Sequence, residues 1–300
     1  MIDKILITGA TGFLGTAITN EFNSKEVITL GRTTNCTIAC DLAQQVPSLP
    51  MCNVVIHCAG KAHSVPKTKE EQQEFFDVNF QGTKNLLTAL ENLPIIPKFF
   101  VFISSVAVYG AEEGILIKED HELLAKDPYG VSKIQAEQLI SEWCKQHQVT
   151  CSILRLPLLV GPNPPGNLST MIKGIKKGYY FNIAGGKAKK SMVLIDDVSK
   201  MIPIMMKVGG IFNLTDGYNP NFLELSNHIA KQLIKSSPLN MPFWVANLLA
   251  KAGDVLGDKF PLNSNKLKKI TSELTFDDAK ARKLLLWKPN EILQKFMLKE

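Results

Sequence analysis

Short apolar runs alternate with stretches of helical periodicity over the first 157 residues. "KILIT" at 4–8 leads into a segment whose Phe13, Leu14, Ala17, Ile18 and Phe22 fall on one helical face. "EVITLG" (26–31), "TIACDL" (37–42) and "NVVIHCAG" (53–60) follow, then a helical pattern carrying Phe75, Phe76, Leu86, Leu87 and Leu90. "FFVFISS" (99–105), a helix over about 128–147 and "CSILRLP" (151–157) complete the series. Apolar runs without alternation suit strands covered on both faces. Strands separated by helices predict a parallel, doubly wound α/β sheet of Rossmann type.

The rhythm loosens at the proline-rich "GPNPPGN" (161–167). "SMVLIDDV" (191–198) and "GIFNLTDG" (210–217) read as late strands returning to the main sheet, and 222–257 and the tail as mainly helical. The expected division is a dinucleotide-binding domain over 1–160 plus about 191–215, and a smaller, mainly helical substrate-binding domain from 161–190 and 216–300.

The first strand breaks into three glycines, Gly9, Gly12 and Gly15, just before a helix. Glycine allows the tight turn, lets backbone N–H groups approach a pyrophosphate, and lets helix and strand pack closely. The strand–glycine–helix context points to a dinucleotide. An acid at the end of the second strand would take the ribose of NAD. Here Gly31 stands there and Arg32 follows, and a guanidinium suits a 2′-phosphate. NADP(H) is expected ahead of NAD(H). Asp41 is a candidate acceptor for the adenine amino group.

"DPYGVSK" sets Tyr129 and Lys133 four apart in a helix with Asp127 as N-cap and Pro128 in its first turn. Residues so spaced share a face, and an ammonium near a phenol lowers its pKa and favours proton exchange with a carbinol. Ser104 and Ser105 close the preceding strand, where a hydroxyl can meet a substrate oxygen beside the cofactor crevice.

In order, "TGATGFLG", "CDL", "HCAG", Asn79 in "DVNFQGT", "ISSVAVYG", "YGVSK" and "RLPLLVGP" resemble the extended short-chain dehydrogenase/reductase family, the NAD(P)-dependent epimerases and dehydratases of nucleotide sugars. "NLSTMIKGIKKG", "KKSMVLIDDV" and "DDAKARKLLLWKP" extend the likeness to nearly the whole chain. The resemblance implies Ser105, Tyr129 and Lys133 as the catalytic set. It implies a cofactor held by Gly9, Thr11, Gly12, Phe13, Leu14, Gly15, Arg32, Asp41, Leu42, Cys58, Ala59, Gly60, Asn79, Ser104 and Leu156, with Tyr129 and Lys133. His63, Ser64, Ser105, Asn167 and Lys190 would face the substrate. The 4,6-dehydratases carry an Asp-Glu pair where this chain has Val106 and Ala107, which cannot transfer protons. A 4-epimerase with tightly held NAD and an NADPH-dependent reductase remain. The Gly31–Arg32 pair favours a reductase, and the whole pattern, with "AGKAHS" (59–64) and "RLPLLVGP", resembles the bacterial reductases of UDP-4-keto-6-deoxy-N-acetylhexosamines in surface-polysaccharide pathways.

Composition narrows the rest. A net charge of +6 fits an anionic small molecule as well as nucleic acid and does not choose between them. The six lysines between 171 and 195 lack the interleaved aromatics of a nucleic-acid surface, apart from Tyr179, Tyr180 and Phe181. Six cysteines form no CxxC pair, so neither a zinc site nor a thioredoxin-like motif is expected, and a cytoplasmic protein with reduced thiols is. No run reaches the roughly 20 apolar residues of a membrane span. The nearest, "MPFWVANLLAKAGDVLG" (241–257), predicts an amphipathic helix packed on the protein, with weak membrane-surface contact as the alternative. The resemblance implies a homodimer built on the helices at 76–92 and 128–147.

Overall fold

The structure, a computed structural model, describes residues 4–22, 26–62, 65–257, 260 and 262–298, so His63 and Ser64 lie outside the described residues. Strands run in chain order as β1 (Ile5–Thr8), β2 (Val27–Gly31), β3 (Ile38–Ala39), β4 (Val54–His57), β5 (Phe99–Ser105), β6 (Gly114–Ile117), β7 (Thr150–Leu156), β8 (Leu158–Val160), β9 (Asn182–Ile183), β10 (Met192–Leu194), β11 (Gly210–Asn213), β12 (Asn240–Met241) and β13 (Leu274–Phe276). Between them lie helices α1 (Phe13–Asn20), α2 (Lys69–Phe76), α3 (Gly82–Glu91), α4 (Pro128–Gln146), α5 (Gly166–Lys177), α6 (Ile195–Met205), α7 (Phe222–Gln232), α8 (Phe243–Leu256), α9 (Ser264–Thr271), α10 (Ala279–Leu285) and α11 (Ile292–Lys295).

Seven strands form one parallel sheet in the order β11-β7-β5-β4-β1-β2-β3. The order reverses between β1 and β4, which places the crevice for a ligand at the carboxyl ends of those strands. Successive side chains point to opposite faces, and both faces are covered. Ile5, Ile7, Val54, Ile56 and Val101 pack with α1, α6 and α10 on one side. Leu6, Val55, Phe100 and Phe102 pack with α3 and α4 on the other. That double cover explains the unbroken apolar runs of these strands.

The late strands divide. β11 joins the main sheet at its edge, as expected. β10 does not: it pairs with β8 in a separate two-stranded sheet. Its three residues are all buried, and the two-stranded sheet packs Val160, Met192 and Leu194 against α5, α7 and α11. A buried apolar run of that length has no alternation to tell one sheet from another.

A buried polar cluster ties α4 to the sheet and tail. The Arg155 guanidinium and Glu137 carboxylate pair at 2.7 Å, with side chains 3% and 4% exposed. Ser104 donates to Glu137, and Arg155 also donates to the Tyr109 hydroxyl and the Glu119 carbonyl. Tyr109 in turn donates to Asn213 on β11, whose amide reaches the carbonyls of Ile117 and Asp277. Burial of a charge is tolerated here because every polar atom named has a partner. Replacing Glu137 with Ala is expected to cost about 3–5 kcal/mol by leaving the guanidinium buried and unpaired. The double replacement Glu137→Leu with Arg155→Met is expected to lose markedly less in urea unfolding.

Candidate active site

The turn after β1 is shaped by backbone crowding. Gly9 has φ +65°, and its N–H donates to Leu30 on the neighbouring strand. A Cβ on Gly9 would sit 2.7 Å from the Ala59 nitrogen, and one on Gly15 only 2.1 Å from the Gly9 carbonyl oxygen. Both neighbours are backbone, so neither position admits a side chain without moving the strand. Gly12 caps α1 without any side-chain hydrogen bond, which leaves first-turn N–H groups free for an anion. Thr11 is exposed, Phe13 half-buried and Leu14 buried at the same helix start.

Past β4, Cys58 and Ala59 cross the carboxyl edge of the sheet to Gly60. A Cβ at Gly60 would meet Asn79 Oδ1 at 3.1 Å and Lys133 Nζ at 3.2 Å. The glycine cradle, with an amide oxygen that accepts and an ammonium that donates, makes a shape and polar set that fit a dinucleotide. At the far end, Gly31 is followed by an exposed Arg32, and a side chain on Gly31 would begin 2.9 Å from Cys36 Sγ. Asp41 accepts from the Ala43 N–H at 3.0 Å and Leu42 is buried against Gly82. Leu156 is buried in the core.

Three catalytic candidates meet at the end of β5. Ser105 lies near enough to the Tyr129 phenol to influence its ionisation, and it accepts the Ala107 N–H at 3.2 Å. Tyr129 opens α4, whose N-cap Asp127 accepts from Gly130 at 3.0 Å, and it packs against the Phe75 ring. Lys133, one turn on, is buried, donates to the Ile103 carbonyl at 2.9 Å and lies 4.6 Å from the centre of the Phe102 ring. Burial lowers its pKa to about 8, with Cys58 and Glu137 opposing. The expected lowering of the phenol by the ammonium is not found. Burial raises the Tyr129 pKa, Ser105 works against that, and Lys133 is turned to Ile103 instead. Ser104 also departs from expectation. It is buried and its hydroxyl is committed to Glu137, because alternate residues of a strand face opposite ways.

Asn79 falls in a π-helical turn, Asp77–Gln81, between α2 and α3. Its side chain accepts from Lys61 N–H at 2.7 Å and donates to the Ser132 hydroxyl at 2.9 Å, which donates to the Tyr129 carbonyl at 2.8 Å. Sequence reasoning gave His57 no role, yet it anchors the same network. Thr83 donates to the Asn79 carbonyl at 2.6 Å, so its oxygen accepts from His57 Nε2 at 2.9 Å. Nδ1 is then the acceptor and takes the Thr8 hydroxyl at 2.6 Å, while Thr8 accepts from Ala59 N–H at 3.1 Å. Burial, helped by Lys133, drives the His57 pKa down to about 3, so the ring stays neutral. The signal was a polar residue ending the otherwise apolar run "VVIH".

Of the substrate-side candidates, Asn167 is exposed in the first turn of α5. Lys190 is half-buried just before β10, bridged to Leu274, and burial lowers its pKa to about 8 with Glu273 opposing. Neither hydrogen-bonds Ser105, Tyr129 or Lys133 among the described residues. A cavity of about 430 Å³ lies elsewhere, between Gly161, Asp196, Lys200, Asn290 and Lys295. No group of His, Cys, Asp or Glu among the described residues is placed to hold a metal ion.

The profile of the NAD dependent epimerase/dehydratase family matches residues 5–214. The chain belongs to that family. Among curated proteins it is 27% identical to a UDP-glucose 4-epimerase of Vibrio cholerae, over 98% of this chain and 93% of that one. It is 28% identical to an N-acetyl-alpha-D-glucosaminyl-diphospho-ditrans,octacis-undecaprenol 4-epimerase of Escherichia coli O157:H7, over 93% and 89%. The fold is shared with UDP-glucuronic acid 4-epimerase from Bacillus cereus, solved with UDP-glucuronic acid and NAD (TM-score 0.76, 21% identity, 98% of this chain and 96% of that one). It is shared too with RMD from Pseudomonas aeruginosa, solved with NADPH (TM-score 0.73, 20% identity, 98% and 96%).

The buried ammonium has a stability consequence. Between pH 8 and the model-peptide lysine range the unfolded chain holds a proton that the folded one has released, so stability rises with pH there. Lys133→Met is therefore expected to be more stable than wild type below pH 8, by up to about 3 kcal/mol at ~1.4 kcal/mol per pKa unit. The gap should close above about pH 10. Urea unfolding at the two pH values checks this.

Proposed function

We propose that the protein interconverts C4 epimers of a UDP-activated hexose or N-acetylhexosamine. The observation that carries this is the grouping of Tyr129 and the buried Lys133 on the first turns of α4 with Ser105 at the end of β5, where Val106 and Ala107 follow. That set can handle one proton at one carbinol and has no further acid–base pair with which to expel water. The curated relatives matched over nearly their whole length are 4-epimerases, which supports this reading over the 4-reductase that the Gly31–Arg32 pair suggested.

A nicotinamide held by the Gly9–Gly15 turn, Ala59, Gly60 and Asn79 would supply reversible hydride acceptance. Tyr129 takes the proton from the C4 hydroxyl as the carbonyl forms and gives it back as the alcohol is restored. Ser105 holds the C4 oxygen and orients the phenol. Lys133, one turn along α4 from Tyr129 and turned to the Ile103 carbonyl, would hold the cofactor's ribose. Lys190, a cation partly stripped of water, gains from an anionic partner and is assigned to the substrate diphosphate.

The reductase stays as a second reading because Gly31 and exposed Arg32 leave no acid for an adenosine ribose and offer a cation to a 2′-phosphate. Purified protein mixed with UDP-glucose and UDP-N-acetylglucosamine, with no nicotinamide added, is expected to give the C4 epimers by NMR. Turnover only of a 4-keto UDP-sugar, with consumption of added NADPH, would establish the reductase instead. Under either reading Tyr129→Phe is expected to lower kcat by about 10²–10⁴ while the protein stays folded. Arg32→Asp is expected to shift the ratio of NADPH to NADH affinity by tenfold or more toward NADH, read by quenching of protein fluorescence.

A further inference from the structure

Helix α8 is packed inside out. The stripe it buries consists of Ala246, Ala250 and Gly253, set against Leu267 of α9 and against Ile183, Met241 and Leu262. A Cβ on Gly253 would lie 1.9 Å from the Leu262 carbonyl oxygen, so this face is held at backbone contact and has no room for a larger residue. The large side chains point the other way. Trp244, Leu248 and Val255 are 66%, 61% and 87% exposed. At ~100° per residue they fall within about 40° of one another, opposite the buried stripe. Leu249 and Leu256 widen the exposed band. A helix that meets only water carries charge on that face.

The charge around it is equally uneven. Residues 161–190 and 216–300, which include α8, hold 19 Lys and Arg against 9 Asp and Glu, while the remainder of the chain holds 15 against 19. Lys251 sits on α8 at the edge of the apolar band. Helix α9 packs on the opposite, buried stripe of α8, and its Lys268 and Lys269 pair with Glu112. A second copy of the chain is a poor occupant, since it would bring two basic segments together. A single-helix apolar band with an aromatic residue and a cation at its edge, in a segment with excess positive charge, matches the interface of an anionic bilayer.

We propose that α8 lies in the surface of an anionic lipid bilayer, with Trp244, Leu248 and Val255 inserted at the headgroup–acyl boundary and Lys251 on a lipid phosphate. This stands apart from the C4 chemistry and does not depend on it. Among the described residues no helix is long and apolar enough to cross a membrane, so the contact is peripheral.

Vesicles of phosphatidylglycerol mixed with phosphatidylcholine, and of phosphatidylcholine alone, provide the test. Trp143 and Trp287 are buried at 5% and 3% exposure, so a change in tryptophan emission reports Trp244. The expected result is flotation with the anionic vesicles, a blue shift, and a partition that falls tenfold or more in high salt or on neutral vesicles. Leu248→Glu with Val255→Glu should abolish flotation while circular dichroism and turnover of a soluble substrate stay unchanged. Trp244→Phe should keep flotation and lose the shift. Absence of flotation by the wild type, or equal flotation by the double glutamate variant, overturns the proposal. So does a stable dimer in solution that the double variant dissociates, because the band would then be a subunit interface.

Discussion

One hydrogen bond, from the Thr83 hydroxyl to the Asn79 carbonyl, sets the direction of the two that His57 makes in the buried chain between β1 and α4. With that donation fixed, Thr83 must accept from His57 Nε2, His57 must accept from Thr8, and Thr8 must accept from Ala59. Asn79 then carries the connection through Ser132 to the backbone of Tyr129. The glycine turn, the Ala59–Gly60 edge and the head of α4 are thus braced by a single set of oriented dipoles inside a dry environment. Such a network is strong only when complete, since each member left without its partner would keep its full desolvation cost. A neutral imidazole is the right centre for it, because it donates at one nitrogen and accepts at the other.

The sheet was legible because its requirements are local and repeated. Two-sided burial leaves "KILIT", "NVVIHCAG" and "FFVFISS" no polar alternation, and the helices between them leave only parallel pairing. The glycine turn was legible for a related reason: where backbones must nearly touch, only one residue type serves. β10 was not, because three buried apolar residues hold no information about which neighbour they pair with.

At the site, the positions of Tyr129 and Lys133 on one helix were readable from spacing, and the direction of their influence was not. Proximity along a helix suggested that the ammonium would lower the phenol. The fold buries both groups and turns Lys133 to the Ile103 carbonyl, and desolvation then decides the sign. Ser104 failed by one residue of alternation, since its neighbour Ser105 faces the phenol. His57 was missed because a histidine in an apolar strand has no sequence partner. Thr8 and Thr83 lie 49 and 26 residues away and meet it only in the folded chain.

The π-helical turn at Asp77–Gln81 holds one residue more than an α-helical turn would, and Asn79 lies within that surplus. Taking a single residue out would close the turn to an ordinary α-helical one and leave α2 and α3 almost unrotated, because the wider turn had already absorbed the extra residue. What would go is the local widening that carries Asn79 to Lys61 and Ser132, although neither partner had been replaced. The reach of that amide is therefore stored in a residue count, a quantity that substitution leaves untouched and that only insertion or deletion can alter.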